Sequence, residues 1–149
     1  MKLEDMTLDL EQHVDVQGAL DDVFKSVLHR FGEGNLGPNG EPLQLRIEPF
    51  AGGRWFRDRG EGIQHLWGHV QVIKPPTLLE LSGPMFMSYP ALNHLEIKLD
   101  QIPDGTRVTL RHRAIGMLDP AHKEGVTKGW KTFLDAVNND FSKSAGTPA

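Results

Sequence analysis

The sequence predicts an α+β domain in which one curved antiparallel sheet of about seven strands wraps around a long helix near the C-terminus. Three observations carry that expectation. The elements run strand, helix, six strands, helix. The connections among the six strands are short enough for hairpins, which makes neighbours antiparallel. The last helix bears one continuous apolar stripe that needs a sheet to cover it. The 149 residues suit a single domain spanning 1–149, because a core of that size buries roughly 70% of the unfolded chain's surface and two halves would each fall short.

The first strand is read from Leu8, Leu10, Gln12, Val14 and Val16 alternating with Asp9, Glu11, His13 and Asp15, the pattern of a strand with one buried face. Gln12 is the polar member of that face. The period then changes within Gly18 to Arg30, where Leu20, Val23, Phe24, Val27 and Leu28 recur at helical spacing and Asp21 and Asp22 sit near the positive end of the dipole. Phe31 to Pro42 holds four glycines and two prolines and is a loop. Within it, Gly32-Glu33-Gly34-Asn35-Leu36-Gly37 matches the dinucleotide-binding glycine pattern in letters only, since that pattern needs a strand before it and a helix after it.

Six strand-like runs follow: Leu43 to Phe50, Arg54 to Arg57, Gly62 to Ile73, Leu78 to Ser82, Leu92 to Ile102 and Arg107 to Ala114. In the Gly62 to Ile73 run the core face is assigned to Leu66, Val70 and Val72, against Ile63, His65, Trp67, His69 and Ile73. A bulge near Gly68 would instead turn Trp67 inward as a pocket wall. The connection at 83–90 is rich in methionine and aromatic residues. It reads equally well as a lid over a pocket or as a loop folded onto the core.

The closing helix begins at Asp119 as N-cap with Pro120 at the first helical position, and it runs to Phe141. Val126, Trp130, Phe133, Leu134, Val137 and Phe141 make its apolar stripe. Gly125 and Gly129 each cost the helix about 1 kcal/mol relative to alanine, which points to a close approach by backbone or ligand in this half. The tail at 143–149 is small and polar and is expected to be disordered.

Gly52-Gly53-Arg54-Trp55, the Gly68 to Pro76 strand ending in Pro-Pro, Leu78-Leu79-Glu80-Leu81, and Gly129-Trp130-Lys131-Thr132-Phe133-Leu134 occur in an order and spacing that resemble the START-like, helix-grip or SRPBCC superfamily. Within it, the chain is similar to the branch named for the activator of the ninety-kilodalton heat-shock chaperone ATPase. The resemblance covers Leu8 to Phe141. It implies a seven-strand sheet gripping the last helix, the last strand paired with the first, and between sheet and helix a cavity that in the superfamily holds lipids, sterols, polyketides or other apolar molecules.

Composition narrows the partners. With 38% hydrophobic and 24% charged residues the chain is an ordinary globular one, and a net charge of −4 argues against general affinity for nucleic acid. The absence of cysteine excludes disulfides and thiolate metal sites. No run is apolar enough for a signal peptide or a membrane span, so a cytoplasmic protein is expected. No cofactor is implied.

Among the candidate chemical groups, His65 and His69 lie about 13 Å apart along one strand and cannot share a metal, so no metal site is expected. His94 shares a face with Glu96, Lys98 and Asp100 and reads as solvated. Arg107, Arg111 and Arg113 read as a charge ladder with Glu96 and Asp100 rather than a phosphate stripe. His112 continues the inner face of Val108 and Leu110, and with the inward Gln12 it makes one polar spot in an apolar chamber. That spot reads as a satisfied core histidine, as a ligand-orienting hydrogen bond, or as an acid-base group. The expected ligand-binding set is Trp55, Phe86, Tyr89, Leu110, His112, Val126, Trp130 and Phe133.

The leading expectation is therefore binding of a small hydrophobic or amphipathic molecule, without catalysis. One alternative is a polyketide cyclase or hydratase using His112 or Tyr89 as a proton shuttle. Another, implied by the family name, is a co-chaperone-like stimulator of a heat-shock chaperone ATPase. A filled interior with no ligand-sized void would sink the first.

Overall fold

The computed structural model describes residues 2–37 and 39–146, with side chains described as far as Ser142. After a 3₁₀ turn at Leu3–Met6 come β1 (Thr7–Val16), α1 (Leu20–Phe31), β2 (Leu45–Ile47), β3 (Arg54–Asp58), β4 (Gln64–Lys74), β5 (Leu78–Gly83), β6 (Ala91–Ile102), β7 (Gly105–Gly116) and α2 (Pro120–Gly146). One seven-stranded sheet runs in the order β1-β7-β6-β5-β4-β3-β2, antiparallel throughout. The last strand pairs with the first, and α2 packs mainly along β1 and α1. This is the α+β helix-grip arrangement. The run Leu43 to Phe50 shrinks to a three-residue strand. Of the tail expected to be disordered, 143–146 continue α2 as helical backbone, and 147–149 lie outside the described residues.

β1 behaves as its alternation requires. Val16 is buried, Leu8, Leu10 and Val14 pack on the core, and Asp9 and Asp15 face out. Those two carboxylates receive the arginines: Arg111 holds Asp9 through two hydrogen bonds of 2.9 and 3.1 Å, and Arg107 holds Asp15 at 2.7 and 3.1 Å. The charge ladder thus forms: Glu96 and Asp100 of β6 stand opposite Arg111 and Arg107 as expected, and the hydrogen-bonded ion pairs are made with β1. His94 is likewise not merely solvated, since its Nε2 lies 2.8 Å from Glu80 Oε1.

β4 departs from simple alternation twice. Trp55 pairs with Gly68 and Phe56 with Leu66, leaving Trp67 as an extra residue. Val70 pairs with Leu81 and Val72 with Glu80, leaving Gln71 as another. Each extra residue reverses the side that follows. The core assignment of Leu66, Val70 and Val72 is corrected accordingly: Leu66 is 43% exposed, Val72 stands opposite Glu80, and only Val70 is core. Trp67, 8% exposed, and Ile73 take the inward places.

Beside the first bulge, β4 and β5 approach through glycine. A Cβ on Gly83 would lie 2.4 Å from Gly68 Cα, and one on Gly68 would lie 2.5 Å from the Ser82 carbonyl oxygen. This close passage turns the 83–90 segment inward, where Met85 donates its N–H to the Trp67 carbonyl at 2.7 Å. Met85 takes a left-handed conformation, φ 58°, and Met85 and Met87 are both buried. Of the two readings of this segment, the structure has the loop folded onto the core.

The glycines of α2 do not serve a close approach within the molecule. Both face outward, and a Cβ built on Gly125 or Gly129 meets nothing within 4 Å. The expectation of a backbone or ligand pressed against them is corrected: Val126 and Trp130, one residue on, carry the buried side. The C-terminal half of α2 is anchored by Phe133, Leu134 and Val137, and by Asp140, which accepts hydrogen bonds from Arg30 Nε at 3.0 Å, from Arg30 Nη2 and from Ser26 at 2.8 Å on α1.

Candidate functional site

Beneath α2 the interior is built of aromatic rings. Phe31 at the end of α1 lies 5.5 Å from Trp55, 6.1 Å from Trp130 and 4.5 Å from Phe133 between ring centroids. Trp55 contacts Trp67 at 5.2 Å, and its indole N–H donates to the Phe31 carbonyl at 2.9 Å. The file continues from Trp67 to Phe86 at 6.1 Å, from Phe86 to His122 at 5.1 Å, and from His122 to Tyr89 at 5.5 Å, where it reaches the surface. Such edge and tilted pairs add to the burial of large apolar area.

One polar chain crosses this interior. The Trp130 indole N–H donates to His112 Nδ1 at 3.0 Å, and His112 Nε2 lies 2.7 Å from Asn93 Oδ1. The Asn93 amide nitrogen faces the carbonyls of Gly83 and Pro84 at 3.2 and 3.3 Å and the Met87 sulfur at 3.5 Å. The chain thus ties α2 through β7 and β6 to the 83–90 segment. His112 is fully buried, and loss of solvation pushes its pKa down to about 4, so the ring is neutral. An indole only donates, so Nδ1 accepts; the single proton of the neutral ring therefore sits on Nε2 and is given to Asn93.

Of the predicted site residues, Trp55, Leu110, His112, Val126, Trp130 and Phe133 come together in this core, and all are buried. Phe86 and Tyr89 are half-buried at its rim. Gln12 does not join His112. It pairs with Leu110, and its amide donates across to the Thr127 carbonyl of α2 at 2.9 Å, while both ring nitrogens of His112 are engaged by Trp130 and Asn93. Where the open chamber is expected, the rings of Phe31, Trp55, Trp130 and Phe133 pack against one another, and two clefts among the described residues lie elsewhere. One of about 620 Å³ lies between Gln17–Leu20 and Gln101–Gly105, and one of about 390 Å³ is lined by His29, Glu33, Arg46 and Glu48.

Two residues of the site were not anticipated. Asn93 lies on the inner side of β6 with Leu95, Ile97 and Leu99 at a period of two, so the alternation carried the signal. His122 precedes Val126 and Trp130 at spacings of four, extending the stripe of α2 by one turn. Its Nδ1 lies 2.7 Å from the Tyr89 hydroxyl, with the two rings stacked.

Compared with known proteins, the chain matches the family model described as Activator of Hsp90 ATPase homolog 1-like protein over residues 39–139. The chain belongs to this family. No curated protein matches it by sequence. Among solved structures it is similar to an uncharacterized protein from Rhizobium leguminosarum, with 13% identity, 92% of this chain and 95% of that one covered, and a TM-score of 0.69. It is also similar to StfQ, a di-domain ARO/CYC of the steffimycin biosynthetic pathway, with 14% identity, 97% and 54% coverage and a TM-score of 0.67. A third is CalU16 from Micromonospora echinospora, with 20% identity, 96% and 76% coverage and a TM-score of 0.61. These likenesses show that the fold is shared with all three structures. Among the described residues, no helix is long and apolar enough to cross a membrane, and no group of three or more His, Cys, Asp or Glu is placed to hold a metal.

Proposed function

We propose that this member of the family binds a small hydrophobic or amphipathic molecule between the N-terminal half of α2 and the sheet, with that half of the helix moving aside to admit it. The observation that carries this reading is the Trp130–His112–Asn93 chain, one convergent polar element within an otherwise apolar, aromatic interior. Opening is needed because Phe31, Trp55, Trp130 and Phe133 occupy the space. The N-terminal half of α2 is the part suited to move. It buries Val126 and Trp130, and at its surface it is fastened by polar contacts: Tyr89 with His122, Lys123 with the Glu4 carbonyl and Gln12 with the Thr127 carbonyl. Segments with few buried contacts open at low cost. Trp55, Leu110, Val126 and Phe133 would line the opened space, with Phe86 and Tyr89 at its entrance. Titration with fatty alcohols, sterols and flavonoids under amide-shift detection tests this reading. Shifts clustered at 118–133 and 83–93 are expected, and a panel that moves none of them would refute it.

The Tyr89–His122 pair favours a second reading, an enzyme of cyclase or hydratase type that passes a proton through the phenol. His112 is the less suited of the two, since in this state both of its ring nitrogens are engaged in the interior whereas Tyr89 lies at the rim. Tyr89→Phe should abolish turnover of a candidate polyketide substrate while leaving its binding intact.

A further inference from the structure

We propose that the ligand of this site is a neutral, hydrogen-bond-donating molecule, a hydroxyl or amide N–H on an apolar body, which replaces the Trp130 indole at His112 Nδ1. This rests on the reading that a ligand enters beneath α2. The hydrogen-bond directions along the buried chain determine what such a ligand meets. Three acceptors surround the amide nitrogen of Asn93, which leaves its oxygen toward His112 and makes His112 Nε2 the donor. From the other end, the donor-only indole makes His112 Nδ1 the acceptor. The two assignments agree. When Trp130 swings away with its half-helix, the vacated group is a lone pair in a dry interior, and leaving it unpaired is costly.

A carboxylate does not fit that vacancy. Its oxygens would face the Nδ1 lone pair, and accepting it would require a second proton on a ring that burial keeps neutral. No cation waits inside to pair with it: the buried polar side chains among the described residues are Asn93, Thr106 and the neutral His112. Thr106 donates to the Gly18 carbonyl at 2.9 Å, away from this chain. A hydroxyl both matches Nδ1 and restores the bond that the indole gave up. Free fatty acids, the commonest small amphiphiles, are thereby selected against, and alcohols, phenols and neutral sterols are selected for.

The test uses matched probes at neutral pH, decanol against decanoate and naphthol against naphthoate, titrated into the full chain with amide-shift and calorimetric readouts. The alcohol of each pair is expected to bind at least about tenfold more tightly, the difference of one satisfied against one unsatisfied buried group. Trp130→Phe keeps a ring but removes the competing donor, and should tighten the alcohols roughly three- to tenfold without helping the carboxylates. His112→Phe should erase the preference. Should that variant not fold, the Trp130→Phe result decides alone. Equal or tighter binding of the carboxylates, with shifts still clustered at α2, would overturn the donor assignment and leave the site standing. If neither member of either pair binds the wild type or Trp130→Phe, both proposals fall.

Discussion

Replacing Gly125 and Gly129 by alanine should stabilise the protein, and the size of the gain follows from the structure. Both residues lie inside α2, between Pro120 and Gly146, and both are exposed. Neither has a positive φ, and an added Cβ at either meets no atom within 4 Å. The substitution therefore has no steric cost and no burial to gain, so what remains is the difference in helix propensity, about 1 kcal/mol at each site. The two positions are neighbours one turn apart, but a contact between two alanine methyls adds little, so the pair should gain about 2 kcal/mol. For 149 residues the unfolding entropy is about 0.3 kcal/mol/K, so each substitution raises Tm by about 3 °C and the pair by about 6 °C. Thermal and urea unfolding by circular dichroism give both numbers. A stiffer N-terminal half should also open less often, so the pair should weaken ligand uptake while it raises Tm. A double variant with unchanged or lower stability would refute the reasoning, because it would mean that the glycines answer to a contact this state does not contain.

His112 should make stability depend on pH. Its pKa is pushed down to about 4 in the folded protein, whereas a free imidazole titrates at about 6.5, so on acidification the unfolded chain takes the proton first. The contribution is complete above about pH 6.5 and is lost between there and about pH 4, by about 3 kcal/mol in all. Urea unfolding of wild type and His112→Gln across that window checks it, and identical pH slopes would contradict it. Asn93→Ala strands the His112 Nε2–H and two carbonyl contacts in the interior and should cost about 2–3 kcal/mol by chemical denaturation. A loss below about 0.5 kcal/mol would mean the chain is not formed. The bulge in β4 is tested by neighbours: Leu66→Ala should change stability by no more than about 0.5 kcal/mol, while Trp67→Ala should cost about 3–5 kcal/mol. The reverse ranking would restore unbroken alternation.

Element order, the antiparallel sheet and the buried stripe of α2 were legible from periodicity, because a strand or helix with one covered face writes that face into the sequence at a period of two or 3.6. The same rule placed His112 inward, and it carried Asn93 and His122 too, although neither is apolar enough to draw notice by itself. Where alternation broke, the reading failed. Two extra residues in β4 decide which side faces the core, and their positions follow from the pairing with β3 and β5 and from the Gly68–Gly83 contact, neither of which lies within the strand's own pattern. Periodicity cannot tell a filled core from a chamber, since Trp55, Trp130 and Phe133 are apolar and inward in both.

The sequence by itself determined the fold class, the family resemblance and the inward set of residues, because these depend on local spacing. Only the tertiary structure decided that Gln12 reaches α2 instead of His112, that Gly125 and Gly129 face outward, and that His112 is locked between Trp130 and Asn93. Each of those depends on hydrogen-bond directions and packing between residues far apart in the chain. The long α2 helix marks the division. Its stripe could be read from the sequence, but what lies beneath the stripe is set by α1, β6 and β7, which reach it only after the chain has folded.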